Sequence, residues 1–245
     1  MGGVAETADT ETTEKPWYVE QPGLLADVRA AIAGYPTLHL FLSDPNAEIR
    51  GTFPVRDESG GTLDEYVVSI ELRAGYPKTL PVVRETAGRI PHTLDRHVVR
   101  PHGTCCVLLP DARWEEWPVE APFSDYLAGP LRNFFLGQSI VEQGGEWPFG
   151  EWAHGNQARL DYYKALFQTE SNIELRRYLE VIGWPHTRGR VSCPCGSGRR
   201  LRKCCHSKVH DLHSKLPRET ARKAFAVLGF HRRGSRNAAR RKRRR

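Results

Sequence analysis

The sequence contains no run of 18 or more apolar residues, which excludes a membrane-spanning helix. Its opening stretch, "MGGVAETADTETTEKP", is polar and acidic and lacks the charged-then-apolar layout of a secretory signal. Glu6 stands where a myristoylation pattern needs Ser or Thr. Neither common phosphate-cradling glycine loop occurs, so the chain is not expected to bind ATP on its own. There is no internal repeat, and cysteine is scarce: six in 245 residues. Without a secretory signal those six are read as reduced thiols of a cytoplasmic protein, hence first as metal ligands or nucleophiles.

The net charge of +7 conceals a division. Residues 186–245 hold 20 Lys/Arg against 2 Asp/Glu, leaving 16 against 27 in residues 1–185. The basic character therefore belongs to the last quarter of the chain and says nothing about the larger, acidic part. Residues 231–245, ending "RRKRRR", are expected to be disordered when unbound. As an electrostatic clamp they would hold RNA, DNA, ribosomes or the acidic body of the same protein. No aromatic residue follows Phe230, which argues against specific single-strand recognition.

Four cysteines, Cys193, Cys195, Cys204 and Cys205, form C-x-C-x8-C-C around a Gly196-Ser197-Gly198 turn. Four thiolates close a tetrahedral Zn²⁺ shell and leave no open position, so a structural rather than catalytic zinc is expected. Arg199, Arg200, Arg202 and Lys203 are expected to offset its negative charge. The remaining pair, Cys105-Cys106, lies in "HGTCCVLLPD" and cannot belong to a shell that is already full.

Periodicity predicts a helix in "QPGLLADVRAAIAGYP", then strands over 37–42, 47–56 and 65–72 separated by turn sequences, and a fourth segment in "AGYPKTLPVVRET". Close spacing makes an antiparallel meander the economical topology. Residues 89–123 show little periodicity and are rich in Pro, His, Arg and Trp, as functional loops often are. Helices are predicted within 122–140 (interrupted at Pro130), 156–168 and "ESNIELRRYLEVIGWP", the last capped by Ser171 or Asn172, and again in "KLPRETARKAFAVLGF".

Two resemblances follow from these residues. The C-P-C-G-S-G start and paired last cysteines of residues 192–206 resemble the SEC-C motif, a small zinc-binding tail appended to many bacterial proteins; Cys205 takes its last ligand position and His206 is spare. Residues 17–168 resemble the ubiquitin-conjugating enzyme fold: one helix, a four-stranded meander, the turn Tyr76-Pro77 with Pro81, the loop Gly103-Thr104-Cys105-Cys106-Val107, and Trp114 or Trp117-Pro118. Among relatives the chain looks closest to bacterial forms, with Asp95-Arg96-His97 ahead of the cysteine loop, which often lie in antiviral defence operons. The family's His-Pro-Asn is missing, Arg96-His97-Val98 standing there instead, so the oxyanion donor must be His97, His102 or backbone N–H groups.

The resemblances imply an α+β protein with a disordered leader (1–16), a conjugating-enzyme-like domain (17–168), a helix and linker (169–191), the zinc motif (192–206), a short helical segment (207–230) and the basic tail (231–245). Cys106 takes the nucleophile position and Cys105 that of a buried packing residue. His97 and His154 are the candidate assisting groups, and Arg96, His97, Arg100 and His102 are expected to lower the Cys106 pKa. The implied activity is a transferase carrying a ubiquitin-like or other protein C-terminus as a thioester. Its donor would be a ubiquitin-like or cyclic-nucleotide-synthase-like protein, activated by a separate adenylating enzyme. The alternative is an inactive scaffold that binds a protein or nucleic acid through the zinc motif and tail.

Overall fold

The computed structural model describes residues 15–149, 155–184 and 191–230. In chain order the first elements are α1 (Trp17–Glu20), α2 (Pro22–Ala33), β1 (Leu38–Ser43), β2 (Asn46–Arg56), β3 (Thr62–Leu72), β4 (Val82–Glu85), β5 (Val98–Val99) and β6 (Thr104–Cys105). Helices α3 (Arg113–Glu116), α4 (Phe123–Tyr126), α5 (Arg132–Glu142), α6 (Asn156–Phe167), α7 (Asn172–Gly183), α8 (His206–Lys215) and α9 (Arg218–Val227) follow. A π-helical turn containing Pro130 joins α4 to α5, since proline cannot donate the regular helix bond. Among these helices none is long and apolar enough to cross a membrane. The chain divides into two compact units, and the division falls at the Cys105–Cys106 peptide bond, with Pro122–Ala128 returning to the first unit.

The first unit is built on the antiparallel sheet β1-β2-β3-β4-β6-β5. Its central strands alternate as a one-faced sheet requires: Ala47, Ile49, Phe53 and Val55 of β2 and Tyr66, Val68, Ile70 and Leu72 of β3 are buried. The register sets Ile49 opposite Ile70 and Phe53 opposite Tyr66, so the apolar pairs coincide. Glu48, Ser69, Glu71 and Arg84 occupy the other face, where the Ser69 hydroxyl donates to Glu48 at 2.6 Å. Pro54 is tolerated inside β2 because pairing with β1 ends at Gly51 and a register shift follows at Val55/Arg56. The sheet exceeds the four-stranded meander expected from periodicity. Strands β5 and β6 have two residues each, too short to leave an alternating pattern.

Aromatic contacts tie the N-terminal helices to this sheet. The Trp17 indole donates to the Leu72 carbonyl at 3.3 Å, and its ring lies 4.7 Å from Tyr76, which in turn meets Phe123 edge-on at 6.4 Å. The Asp27 carboxylate on α2 accepts the Phe123 N–H at 2.8 Å, fixing the start of α4. The Tyr76-Pro77 turn is thereby packed from two sides.

The second unit has a helical core formed by Tyr163 and Phe167 of α6, Leu175, Leu179 and Ile182 of α7, Val209 and Leu212 of α8, and Ala221 and Phe225 of α9. Ser171 is the N-cap of α7, accepting from Glu174 N–H at 3.4 Å. Two cations close helix C-termini: Lys208 Nζ donates to Phe167 O at 2.6 Å, and Arg222 Nε to Gly183 O at 2.7 Å. The helix of the segment expected as helix and linker (169–191) and the segment expected as a short helical piece (207–230) thus share a single core with α6. Helix α8 left no clear periodic signal because Val209 and Leu212 are its only buried residues.

Candidate functional site

The two adjacent cysteines occupy different environments. In β6, Val98 pairs with Cys105 and Val99 with Thr104, while Arg84 of β4 faces Thr104 on the other edge. Cys105 is buried, at 6% exposure. Cys106 is exposed. Gly103 enters this strand at φ +63°, and a Cβ there would sit 2.5 Å from the His92 ring. The His92 ring therefore rests directly on the backbone before the cysteines, a position only glycine allows. Arg100 Nε holds the His92 carbonyl at 2.6 Å. His97 is buried with φ +50°, and His102 and Arg100 are exposed. His154 and the tail 231–245 lie outside the described residues, as does the leader up to residue 14.

The expected lowering of the Cys106 pKa is not found. Desolvation by surrounding protein raises the thiol above its ordinary value, although the residue keeps solvent contact. Desolvation and the neighbouring Glu115 also raise Glu116, ten residues further on.

Behind Cys106, the segment 106–121 is fastened to α6 by buried polar groups that the sequence did not point to. Arg159 Nε donates to Asp111 Oδ2 at 2.6 Å, and the Tyr163 hydroxyl donates to Asp111 Oδ1 at 3.0 Å. Nearby, Trp114 Nε1 donates to the Tyr162 hydroxyl at 2.9 Å, which donates to Glu115 at 2.8 Å. Trp117 is buried beneath the Arg113 guanidinium, 4.7 Å from its ring centre. Burial pushes both tyrosines well above the usual phenol range, so they remain neutral donors. Their partners are 47 or more residues away in sequence, which hides the network from spacing arguments. Tyr163→Phe leaves one oxygen of a buried carboxylate without its donor and is expected to cost about 1–3 kcal/mol. Arg159→Met, which strands the Asp111 charge, is expected to cost about 3–5 kcal/mol. Denaturant unfolding of the two variants checks that order.

The second cluster is the four-cysteine turn. The sulfurs of Cys193 and Cys195 are 3.2 Å apart, those of Cys195 and Cys204 3.6 Å, and those of Cys204 and Cys205 3.8 Å. All four lie within 4.8 Å of one another. A tetrahedral shell with metal–sulfur bonds of about 2.3 Å has edges of about 3.8 Å, so the four sulfurs could hold a metal ion with little movement. Backbone bonds set this up: Cys193 N–H donates to Arg199 O at 2.8 Å, and Cys204 N–H to Leu201 O at 3.0 Å. Burial pushes the Cys193 thiol up to about 12, while hydrogen bonds from Ser197 bring Cys195 down to about 6. Tyr178 of α7 is hydrogen-bonded to Cys205, which couples the cluster to the helical core. Arg199, Arg200, Arg202 and Lys203 are all exposed.

Comparison with known family models, with curated proteins and with solved structures gives no match.

Proposed function

We propose that this chain is a ubiquitin-conjugating-like transferase whose Cys106 carries a protein C-terminus as a thioester. The observation that carries the reading is the parting of the two thiols: Cys105 faces inward from a sheet strand, and Cys106 is open to solvent at the next residue. The helix-then-meander order ahead of them, with the packed Tyr76-Pro77 turn, is the order that the conjugating-enzyme resemblance requires. In the reaction, the Cys106 thiol loses its proton and attacks the carbonyl carbon of an activated C-terminus. The adenylate or partner thiolate leaves, and an amine of the target later displaces the Cys106 thiolate as an amide forms. The donor would be a ubiquitin-like or cyclic-nucleotide-synthase-like protein energised by a separate adenylating enzyme, in antiviral defence. His97 is buried, so in this reading it positions the loop, and oxyanion donors come from backbone N–H groups or His102. Incubation with donor, adenylating enzyme and ATP tests the reading by the appearance of a reductant-sensitive adduct.

The four sulfurs suit a structural Zn²⁺, because a complete thiolate shell leaves no position for substrate. This agrees with the SEC-C resemblance.

A second reading, an inactive scaffold docking through the cysteine motif and basic tail, is favoured by the raised Cys106 pKa and the missing Asn. It expects Cys106→Ala to be harmless and removal of residues 231–245 to abolish function. A pH series of alkylation by iodoacetamide bears on the choice. With the thiol raised by desolvation, the Cys106 midpoint is expected above that of free cysteine, about 8.5. Binding of the adenylating enzyme should bring it down if the site is catalytic, and leave it in place if the chain is a scaffold.

A further inference from the structure

One face of α8 carries histidines that the proposed function does not use: His206, His210 and His213, at spacings of four and three residues, which a helix brings to one side. The His206 and His210 rings have their planes 4° apart and their centres 6.2 Å apart, close to the rise of about 5.4 Å for one helical turn. Both residues are exposed, and among the described residues neither ring has a hydrogen bond or an ion pair. Two imidazoles therefore stand side by side with uncommitted nitrogens. The charged neighbours on α8 are engaged elsewhere: Asp211 pairs with Lys215 at 3.1 Å, and Lys208 Nζ donates to Phe167 O at 2.6 Å. His213 is set apart from the pair. It is half-buried, and desolvation, followed by the charges of Arg218 and His210, lowers its pKa.

We propose that His206 and His210 form a second metal site, for a divalent first-row transition ion that takes imidazole ligands, such as Ni²⁺, Cu²⁺ or Zn²⁺. Two histidines four residues apart on one helix face are a recurrent pair of ligands for such ions. Each neutral ring offers one lone pair, and rotation of the exposed side chains brings one nitrogen from each to the metal–nitrogen distance of about 2.0–2.1 Å. Hard ions such as Mg²⁺ and Ca²⁺ need oxygen ligands, and the one carboxylate on α8 is already paired. His213 does not complete the site, because Arg218 opposes a cation there. Among the described residues the four cysteines are the only group of three or more ligand atoms gathered within 4.8 Å, so water fills the remaining positions of a two-histidine site. The cations of the preceding turn, Arg199, Arg200, Arg202 and Lys203, are exposed, and solvent screens their repulsion. Two imidazoles hold an ion less tightly than four thiolates do, so the site fills with added metal and leaves the ion expected at the cysteines in place.

The test is calorimetric titration of the full-length chain with Ni²⁺, with the cysteine-bound metal measured by elemental analysis before and after. The tightest Ni²⁺ event is expected to leave that metal in place. His206→Gln and His210→Gln are each expected to weaken it about tenfold or more, and His213→Gln about twofold or less. Both members of the pair are exposed, so the variants are expected to fold, which the helical circular dichroism signal checks. Ni²⁺ binding unchanged in either His206→Gln or His210→Gln places the ion on other ligands and overturns the proposal. Equal weakening in His213→Gln overturns the pairing. Release of the cysteine-bound metal, whether by Ni²⁺ or by His206→Gln, also overturns it, since the ion or the imidazole would then belong to the sulfur cluster.

Discussion

If Cys106 is the proposed nucleophile, Cys106→Ala is expected to abolish the acyl adduct and Cys106→Ser to replace it with an ester that thiol reductants do not cleave; in both, transfer to amine is expected to fall on the order of a thousandfold or more, as when a nucleophile is removed. Cys105→Ser is expected to keep the reductant-sensitive adduct. The contrast follows from burial. Residue 105 is opposite Val98 in a strand pair and 6% exposed, so its serine variant buries a hydroxyl at a cost of about 1–3 kcal/mol without touching the reacting atom. Residue 106 is exposed and can meet a foreign carboxyl terminus. Mass spectrometry of the intact chain, with and without reductant, distinguishes thioester from ester from none. An adduct on Cys105, or one that survives Cys106→Ala, refutes the assignment. Because desolvation raises the thiol pKa, adduct formation by the isolated chain is expected to be slow and to accelerate with pH, whereas a thiol activated by nearby cations would already react near neutrality.

The meander was legible because its apolar positions recur with period two, as Ala47, Ile49 and then Tyr66, Val68, Ile70 do. The helix from Asn172 was legible from its helical spacing, and of the two caps the sequence offered, Ser171 is the one that accepts from Glu174 N–H. The four-cysteine cluster was legible from spacing, since C-x-C and C-C on either side of the Gly196-Ser197-Gly198 turn bring together four sulfurs that could hold a metal ion. What escaped was non-local. Counting Arg and His within ten residues of Cys106 suggested a lowered pKa, but proximity in sequence says nothing about whether a charge outweighs desolvation. The Asp111–Arg159–Tyr163 bonds join positions 48 and 52 residues apart, and nothing in the residues around Asp111 marks it as their hub. His92 was invisible because its role is to fill the space that Gly103 lacks.

Metal removal has the second large effect. The chain is expected to bind about one metal ion, and Cys193→Ala or a strong chelator to release it. In small domains such binding supplies about 10–16 kcal/mol of apparent free energy, most of which serves folding. Here the cluster is not a detachable knob. Tyr178 on α7 is bonded to Cys205, α8 begins at His206, and both helices share one core with α6 and α9. Release is therefore expected to lower the helical circular dichroism signal of the whole chain, more than the loss of a 13-residue turn would. The same core includes Ala112 and packs Leu109, within the segment that starts at Cys106 and is anchored to α6 through Asp111. Loosening it should change the alkylation rate of Cys106, several-fold and toward that of an unfolded thiol, because the desolvation that raises its pKa is relaxed. Circular dichroism and Cys106 alkylation, followed together during chelation, measure this coupling. If both stay constant while the metal leaves, the four-cysteine turn and the helical core are independent, and the reading of a shared core supporting Cys106 fails.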